Sequence, residues 1–132
     1  MVASDTFIVK ESGKMKWDWE SFEKVKILAL EGRFDNYTAP QIRDLILSVA
    51  KSDAAQLVVD LKGVTFVDST ALATLVQAMK WCRQQGGDLR LCNLRPEVRM
   101  IFELTRLDKA FEIFPARRQA TAAFALDNAG VD

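Results

Sequence analysis

Histidine is absent from the sequence, which removes the commonest general base, the Ser-His-Asp and Cys-His arrangements, and the commonest metal ligand. Cysteine is nearly as scarce. Cys82 and Cys92 are the only two, too far apart for a Cys-x-x-Cys motif and too few for a thiolate metal site, so both read as reduced, partly buried apolar residues. Neither sign of charge is in excess: 18 Lys plus Arg balance 18 Asp plus Glu. With no basic field to hold a phosphate backbone, no nucleic acid is expected as a partner. No run approaches the roughly 18 apolar residues of a bilayer span. The opening Met1-Val-Ala-Ser-Asp-Thr-Phe lacks the basic-then-apolar order of a signal peptide. A cytoplasmic protein without direct membrane insertion is the expectation.

Other signatures of chemistry are missing too. There is no Gly-rich dinucleotide fingerprint and no Walker A loop. In place of Gly-x-Ser-x-Gly the chain has Val67-Asp-Ser-Thr-Ala71, with no histidine to activate the serine. A receiver domain needs acidic residues clustered at two strand ends with a lysine nearby, and Asp35, Asp60 and Asp68 stand at unsuitable places. An enzyme is therefore the weakest reading, and no catalytic residue, metal or cofactor is expected.

What is present suits one domain with its own core: 132 residues, 49% hydrophobic and 27% charged. Residues 1–14 show little periodicity beyond Phe7-Ile8-Val9 and read as an N-terminal extension, either a tail or an added edge strand. The domain proper spans 15–127, and 128–132 form a C-terminal tail. Met15, Trp17 and Trp19 alternate with Lys16, Asp18 and Glu20, a strand with one wet face whose edge could pair between copies. The two tryptophans share a face, as packing residues. Val25-Lys-Ile-Leu-Ala-Leu-Glu31 reads as a second strand, ended by Gly32 and paired with the first as a hairpin.

Thr38-Ala-Pro-Gln41 has the composition of a capping box, and Ile42, Leu45, Ile46 and Val49 then share a helical face. Gln56-Leu-Val-Val-Asp-Leu61 is a nearly continuous apolar run, as a central parallel strand requires. Asp68, Ser69 or Thr70 can cap the next helix, marked by Leu72, Leu75, Val76, Met79 and Cys82 and stopped by Gly86-Gly87. Asp88-Leu-Arg-Leu-Cys92 alternates as a strand. Pro96 opens a third helix with Val98, Ile101, Phe102 and Thr105 inward, and after Pro115 a last helix packs through Ala120, Ala123 and Phe124. The order β-β-α-β-α-β-α-β-α predicts an α/β domain with a mixed, mainly parallel sheet and helices packed against it.

The segment Leu57-Val-Val-Asp-Leu-Lys-Gly-Val-Thr-Phe-Val-Asp-Ser-Thr-Ala-Leu72 resembles the signature of the STAS domain, the family of bacterial anti-sigma factor antagonists. Two further blocks extend the resemblance from Met15 to about Leu126: Leu30-Glu-Gly-Arg-Phe-Asp35 and Leu104-Thr-Arg-Leu-Asp-Lys-Ala-Phe-Glu-Ile-Phe114. It implies a phosphorylation site at Ser69, the serine directly after the motif Asp. The implied partners are an anti-sigma factor that is also a serine kinase and a PP2C-type phosphatase that resets the switch. The unphosphorylated protein would capture the kinase and release its sigma factor. Two other roles remain open: an accessory subunit of a lipid or anion transporter, and a scaffold or small-molecule-binding module without a phosphate cycle. The chain reads as a monomer or a weak homodimer.

The residues themselves are compatible with such a switch. Ser69 stands where a loop enters a helix, so its hydroxyl is expected to be exposed near unpaired backbone N–H groups. On bare chemistry Ser69 or Asp68 is simply an N-cap, worth about 1 kcal/mol. Parallel strands deliver their outgoing loops to one sheet edge. The expected partner-binding set there is Asp35, Asn36, Tyr37, Asp68, Ser69, Thr70, Ala71 and Arg95. Tyr37, the only tyrosine, is either an anchor for a partner or packed on its own helix start. Thr70-Ala-Leu-Ala73 replaces the family's glycines, which predicts a stiffer helix start and crowding of a partner by Ala71. Arg117 and Arg118, where the family more often has acidic residues, read as a solvated face.

Overall fold

A six-stranded sheet runs through the computed structural model, which describes residues 10–12, 15–51 and 54–129. Its strands are β1 (Lys10–Ser12), β2 (Met15–Phe22), β3 (Val25–Phe34), β4 (Gln56–Val67), β5 (Asp88–Cys92) and β6 (Ile113–Phe114), in that spatial order. β1, β2 and β3 are antiparallel neighbours, while β3 to β6 are parallel. Helices α1 (Ala39–Ala50), α2 (Ser69–Gln84), α3 (Pro96–Leu104) and α4 (Arg117–Ala129) follow β3, β4, β5 and β6. This is the mixed α/β domain expected, with one strand more. β1 pairs with Met15, Lys16 and Trp17, so the edge of β2 expected to be open to a second copy is occupied there. Phe7-Ile8-Val9 lies outside the described residues. Among those described, no helix is long and apolar enough to cross a membrane.

Alternation along β4 divides the core. Leu57, Val59 and Leu61 face a large cluster with Ile42 and Ile46 of α1, Leu75 and Met79 of α2, and Val98 and Phe102 of α3. Val58 faces the other way, into a smaller cluster with Val25, Ile27, Cys92, Ala120 and Phe124. Three helices thus cover one face and α4 covers part of the other. Trp17 belongs to the large cluster and Trp19 packs against it.

Four local expectations are corrected. β3 does not end at Gly32 but continues to Phe34, with register shifts on either side of that glycine, whose φ of 117° lies where side chains are rarely accommodated. β4 likewise continues past Leu61, because Gly63 lies opposite Glu31, where an added Cβ would come within 2.9 Å of the Glu31 Cβ. The capping box does not form: Thr38 stands at the N-cap of α1 without a side-chain cap bond. Its hydroxyl instead accepts from Asp35 N–H at 3.0 Å and donates to the Arg33 carbonyl at 3.0 Å. Thr105, expected inward, is exposed and ends α3, its hydroxyl donating to the Ile101 carbonyl.

Arg117 overturns the solvated-face reading. The turn after β6 brings the first residue of α4 over β4, where its Nε and Nη2 donate to Asp60 at 3.1 and 2.8 Å and its Nη1 to Glu20. Asp60 is buried and also accepts from the Asn93 amide at 3.2 Å and from Lys62 N–H at 2.9 Å. At the far end of α4, Arg90 pairs with Asp127 and lies over the Phe124 ring. Arg118 is exposed, as expected.

Two outcomes follow at pH 7. Arg117→Ala leaves a buried carboxylate without its cation and is expected to cost about 3–5 kcal/mol in urea denaturation. Asp60→Ala leaves Arg117 with Glu20 and water, so its cost is expected to be smaller, about 1–3 kcal/mol. The reverse ranking contradicts the clamp. Asp18 is held above its ordinary value of 3.8, chiefly by burial, with Arg117 pulling the other way and Glu20 and Asp60 pushing it up. A carboxyl raised in the folded state loses stability as pH rises from its unfolded value through its folded one. Asp18→Asn is therefore expected to be at least as stable as wild type at pH 7, with the difference vanishing below pH 3.8.

Candidate functional site

The loops leaving β3, β4 and β5 emerge at one edge of the sheet, as parallel strands require. Asp68 ties two of them together. Its Oδ1 accepts from Ala71 N–H at 2.9 Å, capping α2, and its Oδ2 accepts from Asn36 N–H at 2.9 Å, across to the β3–α1 loop. Of the three residues able to cap α2, Asp68 is the one used.

The β3–α1 loop is also held from within. Asp35 is buried, its Oδ1 accepting from Tyr37 N–H at 3.0 Å and its carbonyl from Ala39 N–H at 2.8 Å. Arg33 approaches its Oδ2 at 3.6 Å. With the backbone fixed this way, Asn36 is exposed and Tyr37 is 87% exposed. Tyr37 does not pack on its own helix start.

Ser69 is the first residue of α2 and Thr70 the second, both exposed. Among the described residues the Ser69 hydroxyl makes no hydrogen bond. Ala71 is corrected as a contact residue: it is 0% exposed, its methyl turned into the large cluster, so it stiffens α2 without crowding a partner. Ala73 is the exposed one, four residues from Ser69 and so on the same face. Arg95 stands exposed at the N-cap of α3 and its side chain makes no cap bond. The structure thus brings Asp35, Asn36, Tyr37, Asp68, Ser69, Thr70 and Arg95 to one edge.

One contact at this edge escapes sequence reasoning. The Arg33 guanidinium lies 3.9 Å from the centroid of the Phe66 ring, on directly opposed residues of β3 and β4. Its signal was the alternation of Arg33 with Phe34 and of Phe66 with Val67, hidden when the strands are stopped at Gly32 and Leu61.

The arrangement presents a hydroxyl and a polar surface. Burial pushes the thiols of Cys82 and Cys92 up to about 11 and about 12, so both stay protonated at neutral pH. Among the described residues no group of His, Cys, Asp and Glu could hold a metal ion.

The STAS domain family profile matches residues 16–120. The anti-sigma-B factor antagonist of Bacillus subtilis is 34% identical over 84 residues, 64% of this chain and 76% of that protein. The crystal structure of an anti-sigma factor antagonist from Mycobacterium paratuberculosis superposes with a TM-score of 0.73 at 30% identity, covering 83% of this chain and 92% of that one. The Bacillus cell fate determinant SpoIIAA in its phosphorylated form shares the fold, with a TM-score of 0.64 at 19% identity over 82% of this chain and 98% of that one.

Asp68→Ala removes both the cap and the tie between loops. The expected cost is about 1–2 kcal/mol, with faster hydrogen exchange at the amides of both Asn36 and Ala71. Unchanged exchange at Asn36 contradicts the tie.

Proposed function

The chain belongs to the STAS domain family, and from that premise we propose that it acts as an anti-sigma factor antagonist switched by phosphorylation at Ser69. The unmodified protein binds a serine-kinase anti-sigma factor through the edge formed by Asp35, Asn36, Tyr37, Asp68, Ser69, Thr70 and Arg95, and so releases the sigma factor. Transfer of a phosphoryl group to Ser69 ends the complex, and a PP2C-type phosphatase restores it. The protein is a substrate and ligand in this cycle, without catalysis of its own.

The exposure of Ser69 carries the reading: its hydroxyl is open to a kinase, while the adjacent Asp68 is committed to two backbone amides. A phosphate there adds roughly −1.5 to −2 charge at neutral pH, accommodated by the positive end of α2. A partner that covers this edge strips water from the phosphate and from Asp68 beside it, so the repulsion between the two grows on binding and the complex is disfavoured.

Affinity capture from the native host with wild type and Ser69→Glu tests it, with mass spectrometry of everything retained and of the tryptic peptide from Gly63 to Lys80. A serine-kinase anti-sigma factor is expected on the wild type and at least about tenfold less on Ser69→Glu, and the peptide is expected to carry phosphate at Ser69. Tyr37→Ala is expected to weaken the same capture by about tenfold or more, as loss of an exposed aromatic anchor does. Retention of one transporter ATPase by both forms, with the peptide unmodified, overturns the switch.

A further inference from the structure

A cleft of about 410 Å³ opens on the sheet face that α4 only partly covers, well within the range of small-molecule pockets. Two adjacent rows of directly opposed residues form it: Lys16, Glu31 and Gly63 in one, Asp18, Ala29 and Asp60 in the next. Ala29 and Gly63 have little or no side chain, so the surface sinks between longer neighbours. Gly63 cannot be filled in, because a Cβ there would meet Glu31 at 2.9 Å. Lys62 and Arg117 line it as well, with Trp17 and Leu30 between the rows.

The charges lining this hollow fall into two groups. Asp60 and Arg117 are spent on each other, on Asn93 and on Glu20. Among residues whose side chains are described, those of Asp18, Glu31 and Lys62 find no hydrogen-bond or ion-pair partner, and neither does that of Lys16, which stands between Glu31 of β3 and Glu11 of β1 in the sheet. Lys16 and Glu31 stand directly opposite each other and still do not pair. Two ammonium groups and two carboxylates therefore point around one hollow with no net charge among them.

We infer that this cleft binds a small zwitterion, one short frame carrying both an ammonium and a carboxylate. A simple anion engages Lys16 and Lys62 but is repelled by Asp18 and Glu31; a simple cation meets the converse. Only a ligand with both charges matches both sets, and Asp18, partly withdrawn from water, has less hydration left to lose on meeting an ammonium than a fully exposed carboxylate. The cleft shares no residue with the edge around Ser69, so this inference stands or falls separately from the proposed switch.

The test is a ¹H–¹⁵N NMR titration of the full chain at pH 7 and low salt. The probes are L-alanine, γ-aminobutyrate and L-alanyl-L-alanine, which differ in the span between their charges. Acetate and methylammonium serve as the separated halves. Saturable shifts at the amides of Lys16, Asp18, Glu31 and Lys62 are expected with at least one zwitterion, and about tenfold weaker with either half. Asp18→Asn and Lys62→Gln are each expected to weaken that binding by about tenfold, and a preserved spectrum elsewhere shows that the fold is intact. No saturable shift with any of the three zwitterions overturns the inference, as does equal binding of acetate or methylammonium.

Discussion

Strand β4 is paired on both edges and buried on both faces along its first half, and the rest of the molecule is arranged around that constraint. A strand in that position has no water to satisfy its backbone or its polar side chains. Its partners on β3 and β5 supply the backbone bonds. Its one buried charge, Asp60, draws in Asn93 from the end of β5 and Arg117 from the start of α4. Where β4 ends, Asp68 takes up one of the free amides in the first turn of α2, that of Ala71, and one from the neighbouring loop. The same strand thus fixes α4 at its middle and the loop edge at its end.

The two sheet faces solve their covering problem differently. One is closed by α1, α2 and α3 over a large apolar cluster. The other has only α4, anchored by the Arg117 contacts at its start and by Arg90 with Asp127 near its end. Its apolar contacts reach the starts of β3 and β4 through Ala120 and Phe124. Beyond them the face carries charged residues rather than apolar ones, which is why a cleft can persist there without collapsing.

Much of this fold was legible in the sequence because its signals are local. The Val-rich run of β4, the alternation of β2 and the helical spacing from Leu72 to Cys82 each name an element without reference to any other. The misreadings share one cause, which is that the deciding partner is remote in sequence. Gly32 and Gly63 look like strand ends until their registers with β4 and Glu31 are known. Thr38 looks like a cap until Asp35 and Arg33 claim its hydroxyl. Arg117 looks solvated until the chain returns it to Asp60, 57 residues away. At the loop edge the residue types were readable, but the inward turn of Ala71 and the outward turn of Tyr37 are set by packing alone.

The division of labour between Asp68 and Ser69 bears directly on the proposed switch. Were Ser69 the cap of α2, a phosphate on its oxygen would replace or strain the bond that starts the helix, and modification would disturb the fold as much as the interface. Asp68 holds that bond, and with it the tie to Asn36. Ser69 is left with helical backbone and an oxygen that bonds to no other described residue. A charge added there acts on whatever approaches the edge and leaves the edge itself in place. Removal of the phosphate then restores the original surface directly, with no refolding step between the two states.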